Sequence, residues 1–214
     1  MIAQESLDRL WDFDDPAAFE RRFAEAAADP RLSATERAEL VTQRARALGL
    51  QGRFDEARAL LEALAVVEEP VVRVRTALEA GRLHNSAGRS AQASLDFDAA
   101  RTEARAAGLD FLEIDALHML AIADAAHAED WARHGIERAE AAGDVRTQRW
   151  LVSLHNNLGW SRLRAGDLDG ALTSFRECSR WADAVGTPEQ RGWAAEAIAE
   201  CEAAISDRRK AEAD

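Results

Sequence analysis

A chain of 214 residues, 47% hydrophobic and 31% charged, can bury one sizeable core or one continuous array of repeats, and a single elongated domain is expected. Its formal net charge of −12 argues against nucleic acid and against a membrane surface, because phosphate groups are held by clustered Lys and Arg. No apolar run reaches the length of a bilayer, and residues 1–11 lack the charged leader and apolar centre of a signal peptide, so a cytoplasmic protein is expected.

Four prolines, no tyrosine and an abundance of Ala, Leu, Glu and Arg favour helix throughout, since these side chains lose little freedom on entering one. No strand pattern interrupts the chain, and the fold class is all-α. Lys210 is the only lysine among 27 basic residues, the codon bias of a GC-rich genome. Two cysteines, Cys178 and Cys201, have no CxxC spacing and are expected in the core as small hydrophobes.

In chain order, Ser6–Trp11 suggests a short helix, and Asp12-Phe13-Asp14-Asp15-Pro16 announces the next, with Asp15 as cap and Pro16 at the first helical position. Phe19, Phe23 and Ala26 then give one face of a helix over about 16–28. Ser33 or Thr35 caps a helix over roughly 34–49, Gly49-Leu50-Gln51-Gly52 turns it into 54–68, and Pro70 opens a pair over about 70–87 and 90–107. Further pairs follow at 110–126 with 128–142 and at 145–165 with 168–185. Thr187-Pro188 starts a last helix to about 207, faced by Trp193, Ala197, Ile198, Cys201 and Ile205, and Asp207–Asp214 reads as a frayed tail.

These pairs are copies of one pattern. Gly159, Gly166, Ala171, Phe175 and Cys178 are spaced as Gly81, Gly88, Ala93, Phe97 and Ala100 and as Ala45, Gly52, Ala57, Leu61 and Leu64. Leu120, His127, Ala132, Ile136 and Ala139 make a more degenerate copy, and the copies begin 36, 39 and 39 residues apart. Ala93 and Ala171 are placed where two helices of a pair cross, whereas Ala104 is expected on a solvated face.

A helical hairpin with a small residue in its first helix, a glycine turn, an alanine at the crossing and an aromatic one turn later resembles the tetratricopeptide repeat. The resemblance covers roughly residues 34–185 and implies a right-handed α-solenoid of about four hairpins, at 34–69, 70–108, 109–143 and 144–186. Residues 1–33 would then be N-terminal capping helices and 187–214 a C-terminal capping helix and tail. These periods exceed the family's period of about 34 residues, so longer helices or loops would alter the pitch of the superhelix.

Enzymatic chemistry finds no support. The five histidines make neither HExxH nor a pair four apart, and Asp167-Leu168-Asp169-Gly170 has its glycine too early for a calcium loop. No nucleotide or hydrolase fingerprint is present; no catalytic residue, metal site or cofactor is assigned. The resemblance implies instead a concave groove lined by the first helix of each pair. One face of those helices gives Gln43, Arg46, Arg82, Asn85, His118, Asn156, Asn157 and Trp160. Asparagines can hold a peptide backbone and arginines a carboxylate, although solvation or local capping would equally explain them. The leading expectation is a non-enzymatic adaptor that binds a peptide or partner protein there, an acidic one being favoured by the arginines. The alternatives are a self-associating structural subunit, a homodimer for instance, and a peptide-sensing regulator.

Overall fold

The computed structural model describes residues 1–11 and 14–213, with the side chains of Glu212 and Ala213 left aside. Every regular element among the described residues is an α-helix: α1 (Gln4–Asp8), α2 (Pro16–Ala27), α3 (Ala34–Leu50), α4 (Phe54–Ala63), α5 (Pro70–Ser86), α6 (Ser90–Ala106), α7 (Asp110–Ala123), α8 (Ala128–Glu140), α9 (Val145–Gln148), α10 (Trp150–Arg164), α11 (Leu168–Val185) and α12 (Pro188–Ala213). The all-α expectation is borne out. Two units divide the chain between Met119 and Leu120, inside α7.

Local chemistry sets the helix ends. Asp15 accepts from the Ala18 N–H and Pro16 stands at the first helical position, while Ser33 and Glu36 close a reciprocal capping box on α3. Thr187 and Gln190 repeat that box at the start of α12. The turns that join α3 to α4, α5 to α6 and α10 to α11 use Gly52, Gly88 and Gly166 at φ of 75°, 72° and 81°, a region in which a Cβ would be strained. Asp12 and Phe13 of the N-terminal signal lie outside the described residues.

In the first unit α3 pairs with α4 and α5 with α6. Ala45, Leu48, Ala57, Leu61 and Leu83 form one cluster, and in the next hairpin the Phe97 ring lies directly on Gly81, where an added Cβ would come within 2.5 Å of the ring. An earlier copy of the pattern also emerges. Leu7 on α1 and Phe19 and Phe23 on α2 have the spacing of Ala45, Ala57 and Leu61, and they form a cluster with Leu40 and Ala47 of α3. The region expected as end caps thus shares the spacing of the repeat pattern.

The second unit repeats the arrangement with α10 and α11. Phe175 lies on Gly159 even more closely than Phe97 on Gly81, and Ala171, Phe175, Ala197 and Cys201 bury together between α11 and α12. Cys178 and Cys201 are both free and buried, as expected.

Several boundaries differ from the sequence reading. The second helix of the first pair stops at Ala63 instead of 68, because the β-branched Val66-Val67 pair and the restriction that Pro70 places on Glu69 favour extended backbone. The expected helix 145–165 is broken at Arg149, where α9 gives way to α10. The last helix continues to Ala213, since the expected frayed tail contains helix formers and no breaker; Asp214 lies outside the described residues. Ala104 is fully buried, not solvated, on the same side of α6 as Phe97 and Ala100.

Gly159→Ala and Ala171→Leu should each lower stability by about 1–3 kcal/mol, because both push atoms into a closed crossing. Ala195→Leu, at an exposed position of α12, should leave the melting temperature close to wild type in the same calorimetric comparison.

Candidate functional site

Residues four and seven apart on a helix share a face, and three successive first helices use that face for ionisable groups. On α3 it carries Glu39, Gln43 and Arg46; on α5, Arg75, Glu79 and Arg82; on α7, Asp115 and His118. Glu39, Arg75, Glu79 and Asp115 are all buried, which is exceptional for charged side chains unless they are paired.

They are paired across helices. Glu39 accepts from Arg75 Nε at 3.2 Å and from the Ile2 N–H at 2.9 Å, while Arg75 Nη2 donates to Gln4 Oε1 at 3.1 Å. Arg82 spreads its two terminal nitrogens over Glu79 and Asp115, each at 2.5 Å. The Arg46 guanidinium sits 4.8 Å from the centroid of the Trp11 ring, a cation–π distance. Gln43 donates to Thr42 Oγ1, which itself donates to the Glu39 carbonyl. Three arginines thus face three carboxylates, and the strip is balanced. Among the carboxylate oxygens of the network, Glu79 Oε2 is buried and has no hydrogen-bond partner among the described residues.

The titration behaviour follows from this arrangement. Burial pushes the Glu79 carboxyl up, against the pull of Arg82 and Arg46. Burial acts in the same sense on Asp115, but Arg82 and Arg46 together overcome it and hold that carboxyl below its ordinary value. Arg46 and Arg75 are both lowered by burial, whereas Arg82, between two carboxylates, is raised. Burial, reinforced by Arg82 and Arg46 against the opposing pull of Asp115, drives His118 down to about 4.

The sequence-derived site residues fall in both units. Gln43, Arg46, Arg82, Asn85 and His118 lie in the first, where Gln43, Arg46, Arg82 and His118 belong to or border the network and Asn85 is half-buried near the end of α5. Asn156, Asn157 and Trp160 lie on α10 in the second unit. Asn156 is half-buried with Oδ1 unpartnered among the described residues, and Asn157 is half-buried beside it. Trp160 packs edge-on against Phe175, with centroids 5.1 Å apart, and is therefore partly a core residue. Glu39, Arg75, Glu79 and Asp115 were missed. The signal was present, because Glu39, Gln43 and Arg46 recur after one 36-residue step as Arg75, Glu79 and Arg82.

No group of three or more His, Cys, Asp or Glu side chains able to hold a metal ion is found among the described residues, and no described helix is long and apolar enough to cross a membrane. Comparisons with protein-family models, with curated proteins and with solved structures give no match.

Because His118 is neutral in the fold down to about pH 4 but takes a proton near pH 6.5 when unfolded, its contribution to stability is intact above about pH 6.5. It is lost as the pH falls from there towards 4, by up to roughly 3 kcal/mol. Denaturant titrations of wild type and His118→Gln at several pH values should show the difference between them shifting against wild type across that window, and a constant difference would contradict the assignment.

Proposed function

We propose that this protein is a non-enzymatic interaction module, built of tetratricopeptide-like hairpins arranged as an α-solenoid, that binds a segment of a partner protein along the face of α3, α5 and α7. The observation that carries this reading is the buried ion network itself. Hairpin packing uses Gly81, Ala93 and Phe97 and their counterparts, and the charged side chains take no part in it. Enclosing six ionisable groups, four of them buried and two half-buried, is at best neutral for stability compared with apolar residues of similar size, so a role outside folding accounts for them better.

The chemistry of the face indicates what would bind. Arg82 is already neutralised by Glu79 and Asp115, so a purely acidic segment would meet the Arg46 cation and repelling carboxylates together. Glu79 Oε2 needs a donor, Arg46 offers one, and Gln43 and Asn85 offer both donor and acceptor atoms. That set matches uncharged amide groups, in side chains or at helix ends, more closely than it matches the acidic partner expected from Arg46 and Arg82 alone. A buried donor met by Glu79 would remove an unsatisfied acceptor, which adds selectivity as well as affinity. A cytoplasmic location accords with this role.

Self-association is the second reading, favoured by Trp193, which is 56% exposed on α12. The two readings separate with peptides selected from a random display library on the full-length protein. Titration calorimetry should show that Arg46→Ala and Asn85→Ala each weaken binding of a selected peptide at least about tenfold, or roughly 1.4 kcal/mol, with little change in melting temperature for Asn85→Ala and a lower one for Arg46→Ala, which loses the Trp11 stack. Arg82→Ala strands two buried carboxylates and should instead lower stability by about 3–5 kcal/mol. Peptides that bind all the variants alike, together with a concentration-dependent dimer that Trp193→Ala dissolves, would favour self-association.

A further inference from the structure

The face of α3 and α5 already holds a polypeptide segment, and it is the chain's own. Residues 2–11 lie against α2, α3 and α5 through an apolar anchor and a set of polar contacts. Leu7 is fully buried among Phe19, Phe23, Leu40 and Ala47, and the Trp11 ring stands 4.5 Å and 5.3 Å from the rings of Phe19 and Phe23. The Ile2 N–H reaches Glu39, the Gln4 carboxamide oxygen accepts from Arg75, and Trp11 covers Arg46.

This segment stands where a first helix belongs, but its helix has 5 residues against 17 in α3, 17 in α5 and 15 in α10. A helix so short has no stability of its own in water, and its N-cap residue, Ala3, supplies no side-chain hydrogen bond. It is held entirely by what it touches. Phe19, Phe23, Glu39, Leu40, Arg46, Ala47 and Arg75 belong to α2, α3 and α5, so they would remain in place as a preformed groove if the segment left.

We propose that this groove is an exchange site, at which an amphipathic helix of a partner protein replaces residues 2–11. The inference rests on the reading of the protein as a peptide-binding module and specifies the partner's chemistry. The incoming helix carries a leucine for the Phe19–Phe23 pocket, a carboxamide three residues earlier for Arg75 and an aromatic ring four residues later to cover Arg46. It is also longer than α1, and so able to fill the length of a complete first helix. In the absence of such a partner the chain's own segment keeps the apolar groove covered, and its tether gives it a high effective concentration against any competitor.

The test uses a fluorescein-labelled synthetic peptide of residues 1–11 and the full-length protein in three forms: wild type, Leu7→Ala and Leu7→Asp. The substitutions remove the anchor of the resident segment without touching the groove. Fluorescence anisotropy should show the peptide binding both variants at least about tenfold more tightly than wild type, with hydrogen exchange reporting α2 and α3 still protected. A peptide that itself carries Leu7→Asp should not bind, and Arg75→Gln combined with Leu7→Ala should weaken the wild-type peptide. Equal affinity for wild type and variants, or no binding to variants whose α2 and α3 stay protected, overturns the proposal. Loss of α2 and α3 protection in both variants also overturns it, by showing that the segment is an indispensable part of the core. In each of those cases library peptides sensitive to Asn85→Ala would still bind wild type if the broader reading holds, so the two failures are distinguishable.

Discussion

The close approach of an aromatic ring to a bare backbone governs the architecture. Where Phe97 lies on Gly81 and Phe175 on Gly159 there is no room for a Cβ, so the two helices of each hairpin sit closer than side chains on both would allow. That contact fixes which side of the first helix turns inward to its partner. The opposite consequence is equally important: the residues near the face of Arg75, Glu79 and Arg82 are released from packing within the hairpin and can be chosen for other purposes. The copy that has Ala45 in place of the glycine solves the same crossing with a smaller second partner, Leu61.

The ion network is the principal feature built on that frame. Helical periodicity sets charges four and seven residues apart on one face, and the stacking of α3, α5 and α7 brings opposite signs from different helices together. Arg82 is the clearest case, since one guanidinium joins Glu79 on its own helix to Asp115 on the next. Each pairing makes burial tolerable without making it favourable for folding, and Glu79 Oε2, unpartnered among the described residues, leaves the internal pairing incomplete. A surface that is desolvated, balanced in charge and short of one donor is suited to selecting a polypeptide by its amide groups. The resident segment is held in that way already, with the Ile2 backbone N–H on Glu39 and the Gln4 side-chain carboxamide oxygen on Arg75.

Much of the fold was legible in the sequence because its signals are local. The Gly166 turn, the Ser33 and Thr187 caps and the spacing of Gly159, Ala171 and Phe175 each specify backbone geometry within a few residues, and they locate the helix pairs. The matching spacing in α1 and α2 is hard to recognise because Leu7 and Phe19 replace the small residues that mark the other copies. The site was half legible. Arg46, Arg82 and His118 could be placed on a face from periodicity, but their charge state could not, because Asp115 reaches Arg82 from 33 residues away. Read without their carboxylate partners, the arginines suggest a positive strip that the folded chain neutralises. Trp160 was misleading for the opposite reason, since its exposure depends on Phe175 and on the cluster with α12.

The most direct test of the central claim, that the charged face of α3, α5 and α7 is the binding surface, is a hydrogen-exchange footprint of the full-length protein with a library-selected peptide. The account predicts added protection in residues 39–46, 75–85 and 115–118, with α4, α6 and α12 unchanged. Protection confined to α4, α6 or α12, with those three stretches exchanging as in the free protein, would contradict it.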